Sequence, residues 1–427
     1  MLGTRRAFAL SLALPLLASA ARASGFATEQ EGVKAMGLAG AYTALAVDDP
    51  SALYYNVGGL ALLDNQILTA GASAYSLQRS QYQGRPPGIG AGTTGQQEVV
   101  RDLYPHAYLA LPFGTRAKIG VGVDSPFGFE TDWSNPTTFP GRAISLTSQL
   151  RTYDLTTGFS WKVSPRLGIG LAAIYRSSDL ANTRNIQLPD PVTGLPRDVA
   201  SINAGTDFEG GFGWNVGILN RLTRTFSWGL SYRSPIDVTY QGSARLNQIA
   251  TGNAQLDQLV SASLPLGTDL PIASEIRFPA TAALGIAVGH KEGFQASFDL
   301  GWAQWSRFQG VGVAFLTKPS LSYVLQGTYD DAYSYRLGAR YTLEGGSQFR
   351  FGAALEKTPQ PDGSLSPFFV DADRTTVAAG YGLDWLDIAL QWQRYDNRFT
   401  FTNPDGLNGL YRNEAWLLAV SITKFNR

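Results

Sequence analysis

The chain has no cysteine, only two histidines (His106 and His290), and a charged fraction of 16%. The missing thiols exclude disulfides, cysteine nucleophiles and cysteine-based zinc or iron–sulfur sites. Charge is scarce against the ~25% of typical soluble chains, and 34 basic residues balance 34 acidic ones. That balance gives no electrostatic argument for a nucleic-acid partner. Gly120 and Gly122 are not followed by Gly-Lys-Ser/Thr, so no phosphate loop is present. Neither a metal nor a cofactor is expected. Past the first 23 residues, no stretch approaches the ~20 apolar residues of a membrane-crossing helix.

Glycine (47 residues) and aromatic side chains (12%) are abundant instead. At the N-terminus, Arg5 and Arg6 precede the apolar run "AFALSLALPLLASA" and then "ARA" at 21–23, the small-x-small form of a signal-peptidase site. The expectation is a leader over residues 1–23, cleaved after Ala23. "TRRAF" also reads as a twin-arginine signal, but a membrane barrel needs an unfolded export route, which favours the general one.

Period-two alternation recurs along the rest of the chain. Phe212, Trp214, Val216 and Ile218 oppose Gly211, Gly213, Asn215 and Gly217. Phe298, Leu300 and Trp302 oppose Ser297, Asp299 and Gly301, while Tyr333, Tyr335, Leu337 and Tyr341 oppose Arg336, Gly338 and Arg340. A soluble sandwich alternates too, but its inner parity is apolar. Here one parity is bulky and aromatic and the other carries Gly, Ser, Gln, Arg and Asp, the inside-out pattern of a transmembrane barrel.

About fourteen such segments are predicted, starting near 66, 102, 116, 149, 166, 207, 225, 276, 293, 323, 347, 371, 384 and 414. The fold class is therefore an all-β transmembrane antiparallel barrel. Short connections alternate with long ones at 178–206, 241–275 and 308–322, which separates a periplasmic rim from an extracellular one and puts both termini in the periplasm. In "GVGVDSPFGF" the alternation meets Asp124 and Pro126. Proline removes a ladder hydrogen bond, so a local gap in the wall is expected there. In the loop after residue 241, Leu246 and Ile249, then Leu256, Leu259, Val260 and Leu264, fall at helical spacing on either side of Gly252. Such helices either offer a greasy landing surface or pack on neighbouring loops.

Several stretches together resemble the FadL-type family of outer-membrane long-chain fatty acid and hydrocarbon transporters. They are "SGFATEQEGVKAMGLAGAYTALAVDDPSALYYNVGGLALL", "YPHAYLALPFG", "GVGVDSPFGFETDW", "GR" at 141–142 and "DLGWAQWSRF". The resemblance implies a bacterial outer-membrane protein of fourteen strands (64–427), plugged by an N-terminal hatch (24–63). It implies passive transport: capture by the loops at 178–206 and 241–275, an internal hydrophobic pocket reached by Gly25 and Phe26, and lateral release through a kinked third strand at Asp124, Ser125, Pro126, Phe127 and Gly128. The expected cargo is long-chain fatty acid, with aromatic hydrocarbon as the alternative. Outer-membrane lipid and lipopolysaccharide are the expected surroundings, and the chain is expected to act as a monomer. One departure stands out. The family's Asn-Pro-Ala reads Asn56-Val57-Gly58 here, which assigns the hatch turn to Asn56, Gly58 and Gly59 through the positive φ that glycine tolerates.

Among lumen-parity charges, Arg176, Arg233, Arg336 and Arg340 are candidates for a carboxylate head group, because guanidinium binds carboxylate bidentately. Arg336 and Arg340 share one strand face and are the preferred pair. The competing reading is that these charges pair with Asp299, Glu356 or Asp387 and tie hatch to wall. Phe26 either lines the pocket or anchors the hatch, and Leu256, Leu259 and Val260 are candidate capture residues. Asp48 and Asp49 read as turn or cap residues. His106 is expected to make a structural hydrogen bond, since no serine partner for a barrel lipase is identifiable. An enzyme is not expected, and a general porin is disfavoured by the plug-like N-terminal stretch.

Overall fold

The computed structural model describes residues 25–28, 31–63, 66–77, 80–99, 101–133 and 135–426. The leader expected over 1–23 lies outside them. Fourteen antiparallel wall strands close into a barrel. They are β1 (Gln66–Leu77), β2 (Arg101–Phe113), β3 (Ala117–Asp124, resuming at Gly128–Asp132), β4 (Thr147–Ser164) and β5 (Leu167–Pro189). Next come β6 (Pro196–Thr206, then Glu209–Asn220), β7 (Phe226–Arg233, then Ile236–Gln248), β8 (Asp269–Phe278, then Thr281–Gly289) and β9 (Phe294–Ala303). The wall ends with β10 (Ala332–Thr342), β11 (Gln348–Glu356), β12 (Arg374–Gly382), β13 (Leu386–Tyr395) and β14 (Glu414–Asn426). Closure comes from β1, which pairs with both β2 and β14.

Parity decides which side chains meet lipid. Phe212, Trp214, Phe298, Leu337 and Leu390 are exposed on the outer face, whereas Asn215, Ser297, Asp299, Arg340 and Gln391 are buried inside. Aromatic pairs such as Trp214–Tyr232 (5.2 Å between centroids) and Phe349–Tyr381 (5.1 Å) lie toward opposite ends of the strands, as interfacial girdles do.

Inside the barrel, residues 31–63 form two short helices, α1 (Val33–Met36) and α2 (Ala52–Tyr55), and a 3-10 turn at Val57–Leu62. Glycine on the inner parity makes room for them. A Cβ on Gly352 would fall 2.2 Å from the Leu38 carbonyl carbon, and one on Gly217 would fall 2.3 Å from Asn56 Oδ1.

Three expectations need correction. The tenth wall strand is Ala332–Thr342, not a strand from 323; among the described residues Tyr323–Gln326 pairs only with the loop strand Val311–Phe315, and Tyr329 turns inward to bury its ring. The long connections at 178–206 and 241–275 are largely continuations of β5 to β8 above the wall. Leu246 accordingly lies in an extended strand opposite Ile202, and only Ala254–Ser263 is helical (α3), started by Asn253 accepting from the amides of Gln255 and Leu256. Finally, Gly58 and Gly59 do not take positive φ. Their lack of a side chain serves close approach instead, since a Cβ would come 2.7 Å from Gly217 O at Gly58 and 1.8 Å from Ala46 O at Gly59.

Candidate functional site

The ladder between β2 and β3 runs from Phe113↔Ala117 to Ala107↔Val123 and stops. Beyond Pro126, Gly128–Asp132 is paired with β4, and among the described residues it has no ladder to β2. A seam therefore opens in the wall. The kink's polar groups divide between its neighbours: Asp124 accepts from Tyr108 Oη of β2 (3.1 Å), while Ser125 Oγ donates to Thr152 O of β4 (2.5 Å) and Phe127 N donates to Thr152 Oγ1 (3.1 Å).

From inside, the chain's N-terminal residues take up the hydrogen bonds left by the missing neighbour. Thr28 N donates to Pro126 O and Gly128 N to Phe26 O, both at 3.0 Å, making an antiparallel bridge between Ala27 and Phe127. Thr28 Oγ1 donates to Ser125 O (2.6 Å), and Gly25 N donates to Asp371 Oδ2 (2.9 Å).

This docking drives Phe26 into the largest aromatic cluster of the interior, where it is 3% exposed. Its ring centroid is 4.6 Å from Trp305, 5.4 Å from Phe308, 6.0 Å from Phe129, and 6.1 Å from both Phe127 and Phe278. Such edge and tilted contacts each contribute about 0.5–1.5 kcal/mol beyond area burial. Two small cavities flank the segment. One of about 60 Å³ runs from Phe26 to Tyr104 and Gly128 at the seam, and one of about 120 Å³ reaches from Phe127 and Trp305 to Arg233 and Arg336.

Arg176 faces the aromatic cluster itself. It lies 4.6 Å from the centroids of both Phe127 and Phe278 and makes a bidentate pair with Asp154 (2.7 and 2.8 Å). Arg233 stands 3.8 Å from the same carboxylate. A pair this buried is strongly destabilising to break, because the surviving charge stays in a low-dielectric site.

Of the preferred arginines, Arg336 stands at the far end of the cavity of about 120 Å³ and Arg340 lies away from it. Arg340 pairs with Asp48 of the N-terminal segment at 2.6 Å, and Arg336 pairs with Glu356 at 3.2 Å, which also holds Arg374 at 2.6 Å. Asp299 accepts from the amides of Tyr42 and Thr43 (3.0 and 2.8 Å), and Asp387 pairs with Arg350 at 2.6 Å. Most lumen charges thus join segment to wall or strand to strand. Asn56 does likewise, donating to Thr43 O and Ile218 O while its Oδ1 caps Gly58 N.

On α3, Leu256 and Val260 are buried against Val199 of β6, while Leu259 is exposed, so the helix packs two of its three candidate residues onto the neighbouring arm. His106 is buried, but among the described residues neither of its ring nitrogens has a hydrogen-bond partner, contrary to the bond expected for it. Sequence reasoning did not single out Asp154, Phe278, Trp305 or Phe308. The last two stand in the quoted "DLGWAQWSRF", and Asp154 has the lumen parity that marked the arginines.

A closed fourteen-stranded wall, aromatic outside and polar inside, with its lumen filled by its own N-terminal segment, defines the class: a plugged outer-membrane β-barrel. Within that class, a model of the family described as "Outer membrane protein transport protein (OMPP1/FadL/TodX)" matches residues 14–424, and the chain belongs to that family of outer-membrane transporters of hydrophobic compounds. It is 22% identical over 406 residues to the long-chain fatty acid transport protein of Escherichia coli K12, covering 87% of each chain. Outer membrane protein P1 of Haemophilus influenzae is 22% identical over 412 residues, covering 87% of this chain and 85% of the other. Among solved structures, a Pseudomonas aeruginosa FadL homologue superposes with a TM-score of 0.81 at 20% identity, covering 94% of this chain and all of the other. The Ralstonia pickettii toluene transporter TbuX gives 0.65 at 16% identity, covering 92% and 98%. These likenesses concern the fold.

Proposed function

We propose that the protein passively carries long-chain fatty acids across the polar face of the outer membrane and releases them sideways into the bilayer through the seam at Asp124–Gly128. The observation that carries this reading is the shared wall: the Phe26 aromatic cluster backs directly onto the unpaired part of β3, and the same four residues, Gly25–Thr28, fill both. In this closed state the flanking cavities, about 60 and 120 Å³, fall short of the ~300 Å³ at which small-molecule pockets begin. An acyl chain entering the cluster therefore has to displace Phe26. Displacing Phe26 strips the bridge from Pro126 and Gly128, which unblocks the seam, so binding and opening are one event. No energy source is needed, because the ligand moves from a dry aromatic site to a lipid phase.

Residues 24–63 act as the hatch in this reading, with Ser24 as the first residue after leader removal. The arms of β5 to β8 with α3 serve as the capture surface, and the protein works as a monomer among outer-membrane lipid and lipopolysaccharide. Arg176 supports a carboxylate cargo, since its guanidinium faces the cluster between two rings. A second reading, aromatic hydrocarbon, is favoured by Asp154, which already neutralises Arg176. Uptake of labelled oleate and of toluene by a deletion strain and its complemented counterpart separates the two. Unchanged uptake of both, with faster entry of small hydrophilic solutes, excludes the transport reading altogether.

A further inference from the structure

A concavity separate from the aromatic chamber sits at the rim of short turns. Between residues 44–47 and the inner ends of β7 to β10 lies a cavity of about 400 Å³, within the size range of small-molecule sites. Its floor is apolar, formed by Ala44, Leu45, Val47 and Ala287. Arg166, Arg221, Arg224 and Lys291 stand around it, Arg340 closes its inner end, and no lining residue is a carboxylate.

The charge of Arg340 is taken by Asp48. Among the described residues, no carboxylate forms an ion pair with Arg166, Arg221, Arg224 or Lys291. These cations come from three turns, and two of the turns are tied together: Arg221 N donates to Arg166 O (2.8 Å), and Arg166 Nη1 donates to Leu222 O (3.2 Å). Like charges fixed around one concavity repel unless an anion or salt compensates them. An apolar floor under an arginine rim matches an apolar tail ending in an anion that guanidinium binds bidentately, and for a fatty-acid cargo that anion is a carboxylate.

We propose that this pocket is a second ligand site, open to the periplasm, that binds an amphipathic carboxylate with its head on Arg221 and Arg224 and its tail against Ala44, Leu45 and Val47. It rests on the fatty-acid reading above and adds to it a holding site for the anion on the periplasmic side of the hatch.

Because the chain has no cysteine, Thr223→Cys places one thiol on the pocket wall. The test measures the rate at which a maleimide labels that thiol in the purified barrel in non-ionic detergent. Decanoate is expected to slow labelling at least fivefold, decanol is not, and Arg221→Ala with Arg224→Ala abolishes the protection while Arg221→Lys with Arg224→Lys keeps most of it. Equal protection by decanol, no protection by decanoate, or protection by polyglutamate in its place overturns the proposal, the last in favour of an acidic protein partner. The alanine and lysine pairs lie in solvent-facing turns, and the heat-dependent gel shift of each barrel verifies folding. The thiol readout is independent of whether oleate uptake depends on the protein, so the two readings fail separately.

Discussion

Replacing Phe26 with alanine perturbs the hatch where it meets the wall. The ring is 3% exposed among aromatic neighbours, and truncating such a side chain costs about 3–5 kcal/mol. What remains to hold Gly25–Thr28 is the hydrogen bonds to Asp371, Pro126 and Ser125 and the one received from Gly128. At about 0.5–1.5 kcal/mol net apiece, they contribute roughly 2–6 kcal/mol. Ordering the backbone of the segment opposes them by about 1–2 kcal/mol per residue, or roughly 4–8 kcal/mol. Without the ring, the docked state loses its margin. The Gly128 amide reports this directly, because its acceptor is Phe26 O. Amide hydrogen exchange in the purified barrel should accelerate at Gly128 by about 100-fold or more, since each 1.4 kcal/mol is a factor of ten, while amides within β4 and β5 stay protected. Unchanged protection at Gly128 would refute the view that Phe26 holds the hatch strand in the seam.

Asp48 sets an acid limit on hatch docking. Burial pushes its carboxyl up, but Arg340, Lys34 and the Tyr42 hydroxyl outweigh this and hold it well below the usual range. A depressed folded value means the pair's stabilisation is complete above the unfolded value near ~3.9 and is lost as pH falls through the folded one. Thermal melts should therefore show no contribution of this pair to pH dependence from pH 8 to 5 and a loss of stability below about pH 4; Asp48→Asn, which strands Arg340, should lower stability by about 3–5 kcal/mol at neutral pH. Replacing Arg176 and Asp154 together, by Met and Leu, removes both members of the bidentate pair and leaves Arg233 with its hydrogen bond to Tyr54 O. Oleate uptake should fall by about tenfold or more, in keeping with the ~1.5–3 kcal/mol of a hydrogen bond to a charged group, with toluene uptake unchanged; an equal loss of both points to a structural role alone. Gly59→Ala puts a methyl against Ala46 O and should destabilise the segment by about 1–3 kcal/mol, read as faster proteolysis within residues 44–63 of an otherwise intact barrel.

Strand positions were legible because a wall in lipid imposes period two on every segment; the predicted starts near 207 and 276 fall within β6 and β8, whose first residues lie further out in the extended arms, and most others fall within a few residues of a strand start. The start near 323 fails for a physical reason: "SYVLQ" alternates, but Tyr329 turns into the lumen and carries the chain inward before β10 begins. Leu246 and Ile249 were read at helical spacing because an extended arm with apolar residues three apart mimics one helical turn. The parity of the lumen charges was readable; their partners were less so, since Arg340 meets Asp48 only through docking of the N-terminal segment, and Arg176 meets Asp154 through the register of the β4–β5 hairpin. The glycines at 58 and 59 show the same limit. A sequence reveals that a residue lacks a side chain but not whether a turn or a neighbouring backbone demands it, and here it is the backbones of Ala46 and Gly217.

The central claim is that hydrophobic cargo leaves through the seam in β3, and Gly128 is the place to test it. A Cβ there already comes within 3.2 Å of the Tyr104 ring across the gap, so Gly128→Phe fills the opening; its Cβ also crowds Leu150 O of β4 at 3.1 Å, a contact the β3–β4 ladder has to accommodate. The measurement is the initial rate of labelled oleate uptake by a deletion strain carrying either this variant or the unaltered protein, with heat-dependent gel mobility verifying that both barrels are folded. The account predicts a fall of about tenfold or more with the variant folded and present at equal levels; uptake equal to that of the unaltered protein would contradict it.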